Sequence, residues 1–232
     1  MGGRQGARPL YDARRPRALT PPMKSVLVTG GTVRIGKAIS DRLASDGWRV
    51  VTASHRADAG ADIVADLSVP GGAEKLFAEC KALLGGSAPD AIVNNAAIFS
   101  GDEEALARVN FSAPAELVDL AAASGVCGAA VNILDAEAMA GGGRGGYLTS
   151  KRRLWEETLS AARRHAGVMR VNAVAPGPVF PPEGVHVKAP PTPFGRPTAE
   201  AVAEAVSFLL SAPYTTGVVV PVDGGAYLPQ TR

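Results

Sequence analysis

The chain has 232 residues, of which 46% are hydrophobic and 20% charged, with a formal net charge of +2. That hydrophobic share suits one globular domain with a substantial core and excludes a chain that is disordered throughout. No apolar run is long enough to cross a bilayer, no internal repeat is visible, and no nucleic-acid-binding motif accompanies the small positive charge, so neither a membrane nor a nucleic acid is an expected partner.

Residues 1–22 contain five arginines and one aspartate, a charge of +4, which leaves −2 for the rest of the chain. Glycine, proline and arginine dominate this segment and it shows no apolar periodicity, so a disordered basic extension is expected. It resembles a transit peptide only in being rich in arginine and poor in acids. A start at Met23, directly before the first strand, is the preferred alternative.

The ordered part opens with a β-branched apolar run, Ser25-Val26-Leu27-Val28, within a strand expected near 24–29. It runs into Thr29-Gly30-Gly31-Thr32-Val33-Arg34-Ile35-Gly36, then a helix near 34–46 with Ile39, Leu43 and Ala44 on one face. Strand, glycine turn and helix form the context in which backbone N–H groups and a helix N-terminus receive a pyrophosphate. A strand near 48–54 ends in Ser54-His55-Arg56. An NAD site usually places a carboxylate there, whereas no acid follows until Asp58. Arg56 is therefore either a partner for a 2′-phosphate, which makes NADPH the expected cofactor, or a solvated surface charge. Arg34 offers a second guanidinium near the phosphates.

Further strands are expected near 62–65, 90–94, 128–133, 168–174 and 217–222, and helices near 71–84, 103–124, 145–166 and 198–211. Such alternation predicts an α/β fold: a single-domain, Rossmann-type, doubly wound parallel sheet of about seven strands with helices on both faces, spanning 23–232. Asn94-Asn95-Ala96 closes the strand near 90–94, and Phe99 follows. In the helix after it, Pro114 has no N–H for the carbonyl of Asn110. The result is either a water site extending a proton path or a simple kink. Asp135 follows the strand near 128–133 as a turn residue or a proton carrier. Tyr147 and Lys151 are i, i+4 neighbours on one helix face, where the ammonium is expected to lower the tyrosine pKa and ready it for proton transfer. Residues 176–197 hold eight prolines and read as a substrate lid. His186 within it is taken as an exposed loop histidine. Cys80 and Cys127 have no metal or redox spacing, so no metal is expected and a reducing, cytoplasmic setting is.

Over residues 24–228 these motifs resemble the short-chain dehydrogenase/reductase family. The carriers are the glycine loop, Asn94-Asn95-Ala96 with Ala97 in place of the family's glycine, Asn110, the Tyr147–Lys151 pair, Pro176-Gly177 and Val222-Asp223-Gly224-Gly225. The resemblance implies Asn110, Asp135, Tyr147 and Lys151 as catalytic residues. It implies a cofactor along Gly30, Thr32, Arg34, Ile35 and Gly36, then Ser54, His55, Arg56, Asp66 and Leu67. Asn95, Ala96, Ala97, Tyr147, Lys151, Pro176, Gly177 and Val179 complete that set. It also implies a homotetramer.

Arg34 in place of the usual loop glycine, His55-Arg56, Asp135 where most of the family has serine, and Phe99 as a stacking aromatic resemble the pteridine reductases. The related dihydromonapterin and dihydrofolate reductases share the pattern. Arg34, Phe99, Asp135, Tyr147 and Pro178 are then the expected substrate contacts, with Phe99 and the nicotinamide sandwiching a flat ring. The reading is an NADPH-dependent reductase of a dihydropterin, dihydromonapterin or dihydrofolate. A carbonyl reductase acting on 3-oxoacyl groups or other ketones is the alternative. A non-catalytic NADP sensor comes third, because a sensor has no need of the Tyr147–Lys151 pair.

Overall fold

In the computed structural model, residues 23–125, 128–141, 145–180 and 192–228 are described. The basic extension 1–22, Cys127, and the centre of the proposed lid with His186 and Lys188 lie outside them.

Among the described residues seven strands form one parallel sheet: β1 (Ser25–Thr29), β2 (Arg49–Ser54), β3 (Ile63–Val64), β4 (Ala91–Asn94), β5 (Gly128–Ile133), β6 (Met169–Pro176) and β7 (Val219–Val222). Their spatial order is β3-β2-β1-β4-β5-β6-β7. Every residue of β1 and β4 is buried, and each strand carries a continuous apolar run, Val26-Leu27-Val28 and Ala91-Ile92-Val93, instead of alternating with polar residues. Alternation survives in direction. Leu27, Ile92, Ala130 and Val171 point to one face of the sheet, while Val26, Val28, Val93 and Val131 point to the other.

The first face is covered by α2 (Gly72–Leu83), α4 (Ala113–Ala123) and α6 (Gly146–Arg164), with Leu76, Leu117 and Ala161 in its core. The second is covered by α1 (Arg34–Ser45) and α7 (Ala199–Ser211). Ile39 and Leu43, one helical turn apart on α1, meet Val202, Val206 and Leu209 of α7. Each such fully buried side chain contributes about 1.5–3 kcal/mol relative to exposure. Thr198 starts α7 by accepting from the N–H of Ala201 at 3.2 Å.

The helix expected near 103–124 is not uniform. A short α3 (Glu103–Ala107) passes into a π turn over Arg108–Ser112 before α4 begins, with Pro114 in its first turn. The wider turn admits a proline that an unbroken α-helix would reject, so the anticipated kink takes the form of a π turn. A further helical turn, α5 (Ala136–Met139), follows β5 and was not expected.

Strand order reverses between β1 and β4, and Thr29, Asn94 and Asn132 lie level across β1, β4 and β5. Open parallel sheets bind ligands at the carboxyl ends of their strands, at such a reversal.

Candidate active site

A cleft of about 1090 Å³ opens at this reversal. It is lined by every site residue anticipated from the sequence except Asn110.

The glycine turn forms its floor. Gly30 has φ of +62°, and a Cβ on Gly36 would collide with the carbonyl of Gly30, so loop and helix approach more closely than any side chain permits. Asn95 ties the turn to β4, its Nδ2 donating to the carbonyls of Thr29 and Gly30 at 3.0 Å each. The hydroxyl of Thr29 accepts from the N–H of Asn95 and of Ala96, also at 3.0 Å. Val33, at the N-cap of α1, provides no side-chain cap, so the positive end of the helix faces the cleft without a competing hydroxyl or carboxylate. Arg34 has φ of +51°, the sole positive φ of a non-glycine among the described residues, and its guanidinium lies 4.9 Å from the centre of the Phe180 ring.

At the end of β2 the geometry departs from expectation. Arg56 is paired with Asp58, Nε to Oδ1 at 2.9 Å and Nη2 to Oδ2 at 2.7 Å. The acid absent from the strand end is thus supplied by the 3-10 turn over Ala57–Ala59. Asp66 accepts from the N–H and hydroxyl of Ser68, which hold its carboxyl below the usual range.

At the other end of the cleft stand Asp135, Tyr147 and Lys151. The Tyr147 hydroxyl donates to Asp135 Oδ2 at 3.1 Å, while Asp135 Oδ1 accepts from the N–H of Glu137 at 2.8 Å and caps α5. Asp135 is therefore a turn residue and a partner of the tyrosine at once. Lys151 is 2% exposed and donates from Nζ to the carbonyl of Ile133 at 2.8 Å, with Nζ 5.9 Å from the Tyr147 ring centre. The anticipated lowering of the tyrosine pKa is reversed. Burial, and then the charge and hydrogen bond of Asp135, hold the phenol well above its ordinary range. Burial lowers Lys151 to about 8, against a smaller upward pull from Asp135. The phenol is a firmly protonated donor rather than an incipient phenolate.

Asn110 does not reach the cleft. Its buried carboxamide accepts from Ile98 N at 2.9 Å and donates to Ile98 O at 2.9 Å and to Ser150 Oγ at 3.1 Å. Ser150 in turn donates to the carbonyl of Tyr147 at 2.6 Å. The Asn110 side chain thus acts as a brace that joins the π turn to the loop before Phe99 and to the start of α6. Phe99 is 70% exposed and lies on Tyr147, ring centres 4.6 Å apart and tilted by 31°.

Glu137, Phe180, Arg196 and Tyr227 also line the cleft; Phe180 and Arg196 belong to the segment read as a lid, while Glu137 and Tyr227 were not foreseen. Asp223 explains the last of these: its carboxylate accepts from the N–H groups of Gly225 at 2.9 Å and Tyr227 at 3.1 Å, curling the C-terminal signature so that Tyr227 turns inward. Burial, then the charges of Glu137, Asp135 and Asp223, push its phenol up to about 12. An aromatic residue just past that signature was the available signal. Among the described residues no group of three His, Cys, Asp or Glu is placed to hold a metal ion, and no helix is long and apolar enough to cross a membrane.

Residues 32–227 match the family described as enoyl-(acyl carrier protein) reductase. Carbonyl reductase family member 4 of Xenopus tropicalis is 33% identical, covering 88% of this chain and 98% of its own length. A 3-oxoacyl-[acyl-carrier-protein] reductase of Aquifex aeolicus is 32% identical, covering 88% and 97%. Among solved structures, the alternative dihydrofolate reductase 1 of Brucella canis, complexed with NADP, superposes with a TM-score of 0.78 at 29% identity, covering 90% of this chain and 96% of that one.

Proposed function

From the premise that the chain belongs to the short-chain dehydrogenase/reductase family, we propose that it is an NADPH-dependent reductase of a pterin-type ring, a dihydropterin, dihydromonapterin or dihydrofolate. The observation that carries the reading is the hydrogen bond from Tyr147 to Asp135 Oδ2 at 3.1 Å within the cleft. A ketone reductase needs a neutral hydroxyl to meet a developing alkoxide, and a fixed carboxylate opposes that charge. Reduction of a ring C=N needs a proton at nitrogen, which a carboxylate-held phenol can deliver. Similarity to the dihydrofolate reductase of Brucella canis supports the same reading.

The cleft suits a dinucleotide. The side-chain-free surface of Gly30 and Gly36, the uncapped start of α1 and Arg34 would hold the pyrophosphate. Arg56 and His55 would face the 2′-phosphate, Asp66 and Leu67 the adenine end, and Asn95–Ala97 with Pro176, Gly177 and Val179 the nicotinamide end. Bound there, NADPH supplies the hydride. Tyr147 gives its proton to the adjacent ring nitrogen and the resulting phenolate takes a proton from solvent water, while Asp135 orients the restored hydroxyl. Lys151, anchored to Ile133, fixes the face of α6 from which Tyr147 projects. Phe99 stacks on the flat ring opposite the nicotinamide once it moves off Tyr147, Pro178 of the cleft lining contacts the substrate, and Arg34 meets the ring's electron-rich edge.

A second reading, reduction of a 3-oxoacyl or other ketone, is favoured by the carbonyl and 3-oxoacyl reductases among the relatives. Oxidation of NADPH by the purified chain, with dihydrobiopterin, dihydrofolate and an acetoacetyl thioester in parallel, separates the two. Turnover with a pterin and little with the thioester is expected. Faster turnover of the thioester would put the ketone reading ahead. A cytoplasmic homotetramer, as the family resemblance implies, is tested by light scattering and by cell fractionation.

A further inference from the structure

After Ser54 the chain turns sharply, the Ser54 hydroxyl accepting from the N–H of Arg56 at 3.1 Å, and the 3-10 turn over Ala57–Ala59 brings Asp58 back beside the arginine. The result is a two-point pair, Nε to Oδ1 at 2.9 Å and Nη2 to Oδ2 at 2.7 Å, on the wall of the cleft. Both side chains face solvent, exposed by 62% and 70%. With one residue between them in sequence, the contact is a local one.

A phosphate oxyanion asks for the same paired N–H edge that the carboxylate occupies, because a pair of oxygens on either group can accept from both arms of a guanidinium fork. Either Asp58 leaves or it stays as a like charge beside the phosphate, and each outcome opposes binding. A cofactor with a free 2′-hydroxyl meets no such opposition, since the hydroxyl donates to a carboxylate as readily as it accepts from an arginine.

We infer that Asp58 is a specificity-determining residue that competes with the 2′-phosphate of NADP(H) for the guanidinium of Arg56. The inference rests on the NADPH reading above and concerns how strongly that preference is expressed. Asp58 acts through Arg56 and tempers selectivity, so the chain discriminates against NADH less than Arg56 and His55 alone would make it do.

Dissociation constants of NADPH and NADH for the full chain, followed by the fluorescence of the reduced nicotinamide, supply the test in the native protein and in Asp58→Asn, Asp58→Glu, Arg56→Ala and the double variant Arg56→Ala/Asp58→Asn. Asp58→Asn is expected to tighten NADPH by about three- to tenfold, the size of a solvent-screened charge interaction, and to leave NADH within about twofold. Asp58→Glu should stay near the native values, and the gain should vanish on the Arg56→Ala background. Weaker NADPH binding in Asp58→Asn would mean that the carboxylate orients Arg56 for the phosphate, and would overturn the proposal. An unchanged constant, or the same change for both nucleotides, would overturn it equally. A native protein that prefers NADH but moves toward NADPH in Asp58→Asn would sustain the competition and defeat the NADPH reading. A native preference for NADPH that Asp58→Asn leaves untouched would do the reverse.

Discussion

Asp135 joins two tasks in one carboxylate: one oxygen caps α5 through the N–H of Glu137 and the other receives the hydroxyl of Tyr147. These tasks separate under substitution, since serine is as good an N-cap as aspartate but carries no charge and reaches less far. Asp135→Ser should hold the melting temperature close to native, where losing the cap altogether costs about 1 kcal/mol. With a dihydropterin the same variant should lose most of its turnover. Tyr147→Phe removes the donor and should lose on the order of 10²–10⁴ in turnover. The double variant should be scarcely worse than Tyr147→Phe, because groups that act as one unit do not add. Steady-state assays on the three proteins check this, and full pterin turnover in Asp135→Ser would reduce the aspartate to a helix cap.

At the scale of elements, α1 begins with a conformational cost. Arg34 holds φ of +51°, a region that costs a residue with a Cβ about 1–2 kcal/mol and glycine almost nothing. Glycine returns part of that gain through its freer unfolded chain, about 0.5–1 kcal/mol. Arg34→Gly should therefore leave the melting temperature level or slightly raised, while NADPH binding weakens by about 1.5–3 kcal/mol, the worth of a hydrogen bond to a charged group. Thermal unfolding and nucleotide titration on one preparation check both arms, and a variant that binds NADPH normally would leave the strained arginine without a role in the cofactor site. All seven strands were legible because their apolar runs are short, β-branched and bounded by turn residues. The glycine loop was legible because its function needs local spacing alone. The π turn was not, since its wider winding is settled by packing around Pro114 and by the grip of Asn110 on Ile98. Nor were Glu137 and Tyr227, which reach the cleft only through the tertiary fold. The direction of the Tyr147 shift escaped for a related reason: helical spacing places Lys151 nearby but does not reveal that its ammonium turns to Ile133 while a carboxylate takes the phenol.

For the whole molecule, the cleft at the strand reversal has an energetic consequence, because it requires an ammonium beneath the sheet's carboxyl edge. Lys151 is 2% exposed, and burial lowers its pKa from 10.5 to about 8. The unfolded chain then holds a proton that the folded one has released between those two values, so stability rises with pH across that window. At its full extent the effect is on the order of 3 kcal/mol. It meets an opposing slope. The raised pKa of Tyr147 means that the folded protein keeps a proton the unfolded chain loses above the ordinary value of 10.0, so stability falls from there upward. Burial likewise raises the Cys80 thiol from 9.0 to about 12, which opposes the rise from about pH 9 upward, so the rise from Lys151 is clearest between about pH 8 and about pH 9. Lys151→Met fills similar space without charge and removes this contribution. The stability advantage of Lys151→Met over the native protein, from denaturant midpoints, should be largest near pH 7 and shrink steadily toward about pH 9.5. Parallel profiles for the two proteins would mean that the native fold holds the ammonium as comfortably as water does, and the buried cation beneath the cleft would then carry no cost at neutral pH.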